Sequence, residues 1–253
     1  MGGVIVRGIN IGGGAPLVLM AGPCAVEGVE MIHAIAARAS AAGATFLRGG
    51  AYKPRTSPRD FQGLGATALA WLRSAADAHG LGVVTEVLSE RDVDAVAAVA
   101  DIMQVGSRNA QNFALLREVG ATRRPVLLKR GPSMTLREWR GAVEHLRAAG
   151  ASDVILCERG SRTYETEYRN ALDVCGIAIM TAEGLPVIVD PSHSAGRRDM
   201  VLPVLRAGIA AGACGAIVEV HPSPDDALSD GAQSLRLASL QDIASAMRLM
   251  PRT

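Results

Sequence analysis

Eight short apolar segments alternate along the chain with longer segments in which apolar residues recur every three or four positions. The short segments are rich in Val, Ile, Leu and Ala, and they lie at about residues 17–21, 45–48, 82–86, 102–106, 125–129, 154–157, 186–190 and 216–220. Runs of this length that are apolar on both faces are typical of parallel β-strands covered by helices. Eight such strand and helix units in 253 residues favour closure into an α/β fold of the (β/α)8 TIM-barrel type.

Two further elements are predicted at the ends of the chain. Residues 4–11 have the pattern of a β-hairpin with its turn at Gly8-Ile9-Asn10, and this hairpin would plug the bottom of the barrel. The apolar stripe over 234–250 predicts a last helix that stops before Pro251. Because no linker or low-complexity segment interrupts the chain, we expect a single catalytic domain over residues 1–253, with 1–14 as a hairpin extension and no regulatory domain.

Composition narrows the class of protein. Hydrophobic residues make up 49% of the chain and aromatic residues only 3%, which indicates a large aliphatic core. A net charge of +1 supplies no overall field for nucleic acid or for a membrane surface, so neither is expected as a partner. The four Cys lack CxxC spacing, and neither a signal peptide nor a spanning segment is evident. We therefore expect a cytoplasmic protein that acts on small molecules.

Cations follow several of the predicted strands. After the second strand, a ten-residue stretch holds three cations and two hydroxyls: Arg48, Lys53, Arg55, Thr56 and Ser57. Three more cations end the fourth, fifth and sixth strands: Arg108, Lys129 and Arg159. Any one of them could equally serve a structural salt bridge. Six cations at one barrel mouth would repel one another, so together they predict a ligand with at least one phosphate and a carboxylate. Gly49 and Gly50 are expected to let the backbone approach that ligand closely.

A second group of residues has the chemistry of metal ligands. Cys24, His193, Glu219 and Asp230 lie at or shortly after strand ends, and they combine a soft, a borderline and two hard donors. Glu219 is the most informative of them, because a carboxylate inside the apolar run AIVEVH is costly unless it is paired or metal-bound. Glu86 raises the same problem on the third strand, where it could position a lysine or a water molecule. His221 is close enough to Glu219 in sequence to support it.

Nine motifs in order resemble one enzyme family. They are GPCAVE, RGGAYKPRTSP, FQGLG, GSRNAQNF, LLKRG, CERG, RTYET, VIVDPSHSAGRRD and VEVHPSPDDALSDGAQSL. Together they look like the 3-deoxy-D-arabino-heptulosonate 7-phosphate (DAHP) synthases of the short type-I beta subgroup, which are similar in turn to the 3-deoxy-octulosonate 8-phosphate synthases. The resemblance implies condensation of phosphoenolpyruvate with erythrose 4-phosphate and water, which releases phosphate in the first step of the shikimate pathway.

The resemblance also implies roles for individual residues. Cys24, His193, Glu219 and Asp230 would bind a divalent metal, with Mn²⁺ as the first choice and Co²⁺, Fe²⁺ or Zn²⁺ as alternatives. Substrate contacts fall to Arg48, Lys53, Arg55, Thr56, Ser57, Ser107, Arg108, Lys129 and Arg159. Of these, Arg108, Lys129 and Arg159 match the grip on the phosphate of phosphoenolpyruvate, and Arg55 and Thr56 match the grip on the aldose phosphate. The catalytic set is Lys53, Glu86, Lys129 and His193, and Glu86 would lie near the attacking water.

Two features distinguish this chain within the related families. The tetrad KPRT at 53–56 is like that of the erythrose-4-phosphate enzymes, and Cys24 is like the metal-dependent form. The chain departs from the usual family pattern at Ser107 and Ser161, which add hydroxyls near the expected phosphate site. These departures leave open a specialised member of the family that accepts another aldose phosphate.

Several alternatives and partners follow. The alternatives are a related 3-deoxy sugar acid synthase, a Schiff-base aldolase that uses Lys129, and a catalytically silent barrel that serves as a binding partner. The resemblance implies a homo-oligomer, either a tetramer or a dimer. Association with another enzyme of the shikimate pathway is a further expectation.

Overall fold

The computed structural model describes residues 2–250, which form a closed parallel barrel and an antiparallel hairpin. The hairpin strands are β1 (Gly3–Val6) and β2 (Ile9–Gly12). The barrel strands are β3 (Val18–Gly22), β4 (Phe46–Arg48), β5 (Gly82–Val87), β6 (Ile102–Val105), β7 (Val126–Lys129), β8 (Val154–Glu158), β9 (Val187–Val189) and β10 (Gly215–His221). Each barrel strand pairs in parallel with the next, and β10 pairs with both β9 and β3. The predicted barrel is confirmed, with strand bounds close to the eight apolar segments.

Helices cover the outside of the barrel. They are α1 (Val29–Ala42), α2 (Ala66–Ala78), α3 (Val93–Ala97), α4 (Phe113–Ala121), α5 (Leu136–Ala148), α6 (Val174–Ala182), α7 (Pro191–Ala195), α8 (Val201–Ala210) and α9 (Leu240–Leu249). One helix follows each barrel strand, and α7 is a short extra helix between β9 and α8. Local sequence sets several of the helix starts. Thr135 and Glu138 form a capping box at α5, and Asp173 and Asp190 cap α6 and α7 through their side chains.

The core has two layers that follow the alternation of side chains along each strand. In β3, Leu19 and Ala21 pack outward with the helices, whereas Val18 and Met20 point into the barrel. The interior layer is aliphatic apart from Phe46 and Cys157. Because successive side chains of a strand point to opposite faces, this layer determines which residues further along each strand face the barrel mouth.

The N-terminal hairpin closes the bottom of the barrel. Val4, Val6 and Ile11 are buried and pack with the interior layer. The turn lies at Arg7 and Gly8, whose φ angles of 51° and 78° are both left-handed, as a two-residue hairpin turn of type I′ requires. The prediction of a turn at Gly8-Ile9-Asn10 was therefore wrong, since Ile9 and Asn10 belong to β2.

The last helix begins later than the sequence predicts. Residues 235–236 form a short strand, β11 (Leu235–Arg236), which pairs with Val220 and His221 of β10. A single 3-10 turn follows, and α9 then buries Ile243, Ala244 and Met247 as expected. Met1 and Pro251 lie outside the described residues. Within residues 2–250, none of the helices combines the length and the apolar character needed to cross a bilayer.

Candidate active site

A cavity of about 340 Å³ opens at the carboxyl ends of the barrel strands. All six cations predicted for this end line it, and Arg162 and Arg169 add two more. Three carboxylates line the same cavity: Asp60, Glu86 and Asp230. The cavity is therefore strongly electropositive and suits a ligand with several negative charges.

The two-residue period of the strands explains why these side chains meet. Arg48 follows the interior Phe46 by two positions, Glu86 follows Val84, and Lys129 follows Leu127. Asp190 follows Ile188 and Glu219 follows Ile217 in the same way. In each case the apolar residue fills the barrel, and the polar residue two positions later lies beyond it toward the mouth, where Arg48, Glu86 and Lys129 line the cavity.

Four predicted ligands lie together at the cavity, and two of them, His193 and Asp230, line it. One donor atom from each of Cys24, His193, Glu219 and Asp230 can be chosen so that all four atoms lie within 4.8 Å of one another. The Nε2 atom of His193 is 3.4 Å from Oε1 of Glu219 and 3.9 Å from Oδ2 of Asp230. The thiol of Cys24 donates to Oδ2 of Asp230 at 3.1 Å. A sulfur, an imidazole nitrogen and two carboxylates at this spacing fit a divalent transition metal.

Surrounding side chains hold each of these donors in place. Glu219, 1% exposed, accepts hydrogen bonds from Arg48 at 2.7 Å and from Gln233 at 2.6 Å. The ammonium of Lys53 donates to the sulfur of Cys24 at 3.0 Å. Asp230 has a left-handed φ of 53°, a conformation that Asp adopts more readily than most residues.

The charges in the cluster of four ligands favour the binding of a cation. Burial, and after it the charge of Glu219, raise the pKa of the Cys24 thiol to about 12. Burial opposes ionisation of Glu219 as well, but His193 and Arg48 outweigh it and hold its pKa below the usual range. Burial likewise acts against Asp230, whose pKa is nevertheless lowered to about 2 by His193, by the Cys24 hydrogen bond and by Lys53. A bound cation would replace the thiol proton of Cys24.

The predicted phosphate grip contains a buried cation, Arg159. Arg159 is 7% exposed, and none of the residues 2–250 places a carboxylate oxygen within salt-bridge distance of it. Its desolvation lowers the pKa of the guanidinium. Lys129 differs, because it forms an ion pair with Asp190 at 2.5 Å. Arg108 lies on the rim, where it donates to the carbonyl of Pro54 at 3.2 Å. Ser107 lines the cavity beside Arg108.

The loop after β4 carries the predicted aldose-phosphate contacts. Arg55 donates to the hydroxyl of Ser229 at 2.6 Å and pairs with Asp60 at 3.4 Å. Thr56 lines the cavity beside it. Ser57 is not among the lining residues, and its hydroxyl accepts from the backbone of Arg59 at 3.2 Å. The structure thus brings Arg55 and Thr56 to the cavity and turns Ser57 into the loop.

Glu86 faces the cavity from the end of β5. Its Oε2 accepts a hydrogen bond from Gln104 at 3.3 Å. Gly106 makes room for it, since a Cβ at that position would lie 1.9 Å from Oε1 of Glu86. The charge of Glu86 also helps to raise the pKa of Lys53 against the effect of burial, after a larger contribution from Cys24. Lys53 therefore stays protonated at neutral pH.

Sequence reasoning missed several residues of the site. Asp190, Gln104 and Gln233 hold functional side chains, and Arg169 pairs with Asp230 at 3.5 Å. A signal for Asp190 was present, because it follows an interior strand residue by two positions and precedes Pro191. No comparable signal marks Gln233 in its loop.

Two smaller expectations are corrected. A Cβ on Gly50 would lie 2.7 Å from the carbonyl of Cys24, and one on Gly49 would lie 2.9 Å from Val26. The two glycines thus permit close packing of the protein against itself. His221 pairs with Glu27 at 3.3 Å and accepts from the backbone of Ser223, so its ring nitrogens do not support Glu219.

Comparison with known proteins places these features in context. A model of the DAHP synthetase I family matches residues 4–251. A phospho-2-dehydro-3-deoxyheptonate aldolase of Thermotoga maritima is 52% identical over 241 residues, which cover 95% of this chain and 71% of that protein. A 2-dehydro-3-deoxyphosphooctonate aldolase of Nitratidesulfovibrio vulgaris is 36% identical and covers 88% of this chain and 87% of its own length.

Solved structures agree with the sequence matches. The crystal structure of a DAHP synthase from Thermotoga maritima superposes with a TM-score of 0.94 at 50% identity, covering 98% of this chain and 72% of that one. A truncated form of the synthase from the same organism gives a TM-score of 0.91 at 47% identity, with coverage of 98% and 90%.

Proposed function

Since the chain belongs to the DAHP synthetase I family, we propose that it acts as a 3-deoxy-7-phosphoheptulonate synthase. It condenses phosphoenolpyruvate with erythrose 4-phosphate and water to give 3-deoxy-D-arabino-heptulosonate 7-phosphate and phosphate. This reaction is the first step of the shikimate pathway. The observation that carries the assignment of the site is the cationic cavity directly above four clustered metal-ligand donors.

The cations hold two anionic substrates side by side. We assign Arg159, Lys129 and Arg108, which line the cavity, to the phosphate of phosphoenolpyruvate, and Arg48 and Lys53, which line it as well, to the carboxylate. Arg55 and Thr56 bind the phosphate of erythrose 4-phosphate from the loop after β4. Fixing two like-charged substrates in one orientation converts an unfavourable collision into an oriented encounter.

Bond formation joins C3 of phosphoenolpyruvate to the aldehyde carbon of erythrose 4-phosphate. A divalent cation held by Cys24, His193, Glu219 and Asp230 would polarise the aldehyde oxygen as a Lewis acid. Water then adds to C2 of the former enolpyruvate, and the C2–O bond to the phosphate breaks, which releases inorganic phosphate. Glu86 and Lys53 face this part of the cavity. We assign Glu86 to orienting the water and receiving its proton, and Lys53 to supplying a proton to the developing alkoxide.

The test is release of phosphate from the two substrates, before and after chelation. Purified protein with added Mn²⁺ should release phosphate only when phosphoenolpyruvate and erythrose 4-phosphate are both present. EDTA should abolish the release, and Mn²⁺ should restore it. No release with Mn²⁺ would refute the activity. Release that survives thorough chelation would refute only the metal site.

Arabinose 5-phosphate serves as the competing substrate. The octulosonate relative is less similar than the heptonate relative, at 36% against 52% identity. We therefore expect kcat/KM to favour erythrose 4-phosphate. A preference for arabinose 5-phosphate would instead identify another 3-deoxy sugar acid synthase.

Several properties complete the proposal. We propose Mn²⁺ as the native metal, a single catalytic domain over this chain, a cytoplasmic location and a homo-oligomer, either a tetramer or a dimer. The free thiols of Cys24, Cys157, Cys175 and Cys214 are compatible with a reducing compartment. Metal analysis of protein purified without chelators and light scattering in solution test the metal and the oligomeric state. Association with another shikimate-pathway enzyme stays a prediction.

A further inference from the structure

We propose that Asp190 is a positioning residue that couples the metal site to the phosphate pocket, because its carboxylate serves His193 and Lys129 at once. In this arrangement Asp190 strengthens the hold of His193 on a metal and weakens the hold of Lys129 on phosphate. The inference rests on the proposed function, since it takes His193 as a metal ligand and Lys129 as a phosphate contact.

One carboxylate oxygen makes both contacts. Oδ2 of Asp190 lies 2.5 Å from the ammonium of Lys129 and 2.8 Å from Nδ1 of His193. Oδ1 accepts the backbone N–H of His193 at 3.0 Å and so caps α7. Asp190 itself is 1% exposed and does not line the cavity. It therefore does not contact a ligand itself, and its side-chain contacts go to His193 and Lys129.

The contact with His193 sets the tautomer of the imidazole. Because ionised Asp190 can only accept at Oδ2, Nδ1 of His193 carries a proton, and in the neutral imidazole, the form that binds a metal, Nε2 is then left with the lone pair. Nε2 is the atom that faces Glu219 and Asp230. A carboxylate behind a ligating imidazole fixes the ring and makes it a stronger donor, and loss of such a partner commonly weakens metal binding by roughly 10- to 100-fold.

The contact with Lys129 has the opposite consequence for the phosphate. Lys129 is 4% exposed, and the charge that it offers to the cavity is largely balanced by Asp190. A bound phosphate must share this cation with a carboxylate that is already in contact with it. Arg159, which has no carboxylate at salt-bridge distance within residues 2–250, provides a charge in the same pocket that Asp190 balances only from a longer distance. Neutralising Asp190 would leave Lys129, like Arg159, without a carboxylate at salt-bridge distance in the described part of the chain, so that more of its charge is available to a bound phosphate.

The proposal predicts changes of opposite sign in one variant. In Asp190→Asn, the amide keeps an acceptor for the cap of α7, and the charge is lost. Mn²⁺ should bind the substrate-free variant roughly 10- to 100-fold more weakly than the original protein. Phosphoenolpyruvate and inorganic phosphate should bind the metal-free variant roughly fivefold or more tightly, because one repulsive charge has been removed from a poorly solvated pocket.

Isothermal titration calorimetry on the full chain measures both affinities separately, so neither depends on turnover. Asp101→Asn is the matched control, since Asp101 also pairs with a cation and accepts a backbone N–H but lies outside the cavity, and both affinities should stay within twofold of the original. Weaker binding of both ligands by Asp190→Asn would indicate general damage and overturn the proposal. Unchanged binding of Mn²⁺ would overturn it as well.

A second variant tests the coupling from the other side. Lys129→Gln removes the cation that competes for Oδ2 of Asp190, so Mn²⁺ should bind more tightly while phosphate binding is lost. If Asp190→Asn does not fold, as judged by circular dichroism, this variant decides the question, and unchanged or weaker Mn²⁺ binding refutes the coupling. Failure of the proposed reaction can be told apart from failure of this proposal. If the reaction assignment is wrong, the original protein shows no turnover, but the titrations with Mn²⁺ and inorganic phosphate still report on Asp190.

Discussion

Replacing Arg130 by Met should destabilise the protein, because it leaves the charge of Glu158 buried next to the site without its cation. Arg130 is 7% exposed and Glu158 is fully buried. The guanidinium pairs with Glu158 at 3.1 Å and with Asp173 at 2.7 Å, and it donates to the carbonyl of Met134 at 2.8 Å. Arg130 thus ties the end of β7 to both ends of the segment from β8 to α6, which carries Arg159.

The expected loss in free energy of unfolding is about 3–5 kcal/mol at neutral pH, the range found when one partner of a buried ion pair is removed. Most of this loss belongs to Glu158, because Asp173 is 30% exposed at its side chain and can be hydrated. Burial already raises the pKa of Glu158 against the opposing effect of Arg130. Without Arg130 the pKa must rise further, so the variant should lose stability as the pH increases above the unfolded value of about 4.3.

Urea unfolding followed by circular dichroism between pH 4.5 and 8 measures this effect. The double variant Arg130→Met with Glu158→Gln removes the buried charge and should recover at least half of the loss. A loss below about 1 kcal/mol for Arg130→Met would refute the reasoning, because that is the contribution of an exposed surface ion pair. So would a double variant that is no more stable than the single one.

Three further predictions concern the site. Cys24→Ala should abolish phosphate release and leave the far-ultraviolet circular dichroism spectrum unchanged; retained activity would show that the thiol is dispensable. Because the pKa of the Cys24 thiol is about 12, the metal must displace its proton, so Mn²⁺ affinity measured by calorimetry should rise by up to about tenfold per pH unit between pH 6 and 8. A flat profile would argue against a thiolate ligand. Arg159→Met should raise KM for phosphoenolpyruvate at least about tenfold, because a phosphate contact is lost. The same variant should increase the midpoint of thermal unfolding, because it removes a buried cation that has no carboxylate partner within residues 2–250. A lower midpoint would mean that Arg159 has a structural role.

The barrel could be predicted from sequence because its main determinants are local and periodic. The eight apolar segments became β3 to β10, and the alternation of inward and outward residues was already encoded in segments such as AIVEVH. The ends of the chain were harder to predict. The stripe over 234–250 cannot distinguish a helix from a strand followed by a helix, and the pairing of Leu235 with Val220 decided between them. That pairing depends on where β10 lies, which no local pattern records.

The candidate site could likewise be predicted from the sequence only in part. By itself the sequence determined the fold class, the strand ends and the types of donor and cation, because the apolar segments and the polar residues that follow them are local features of the chain. Only the tertiary structure decided the pairing of those side chains: Lys129 with Asp190, Glu219 with Arg48 and Gln233, and Arg159 without a carboxylate partner within residues 2–250. The physical reason is that a charge buried at a barrel mouth is balanced by neighbours from other strands. Their distances are set when the barrel closes.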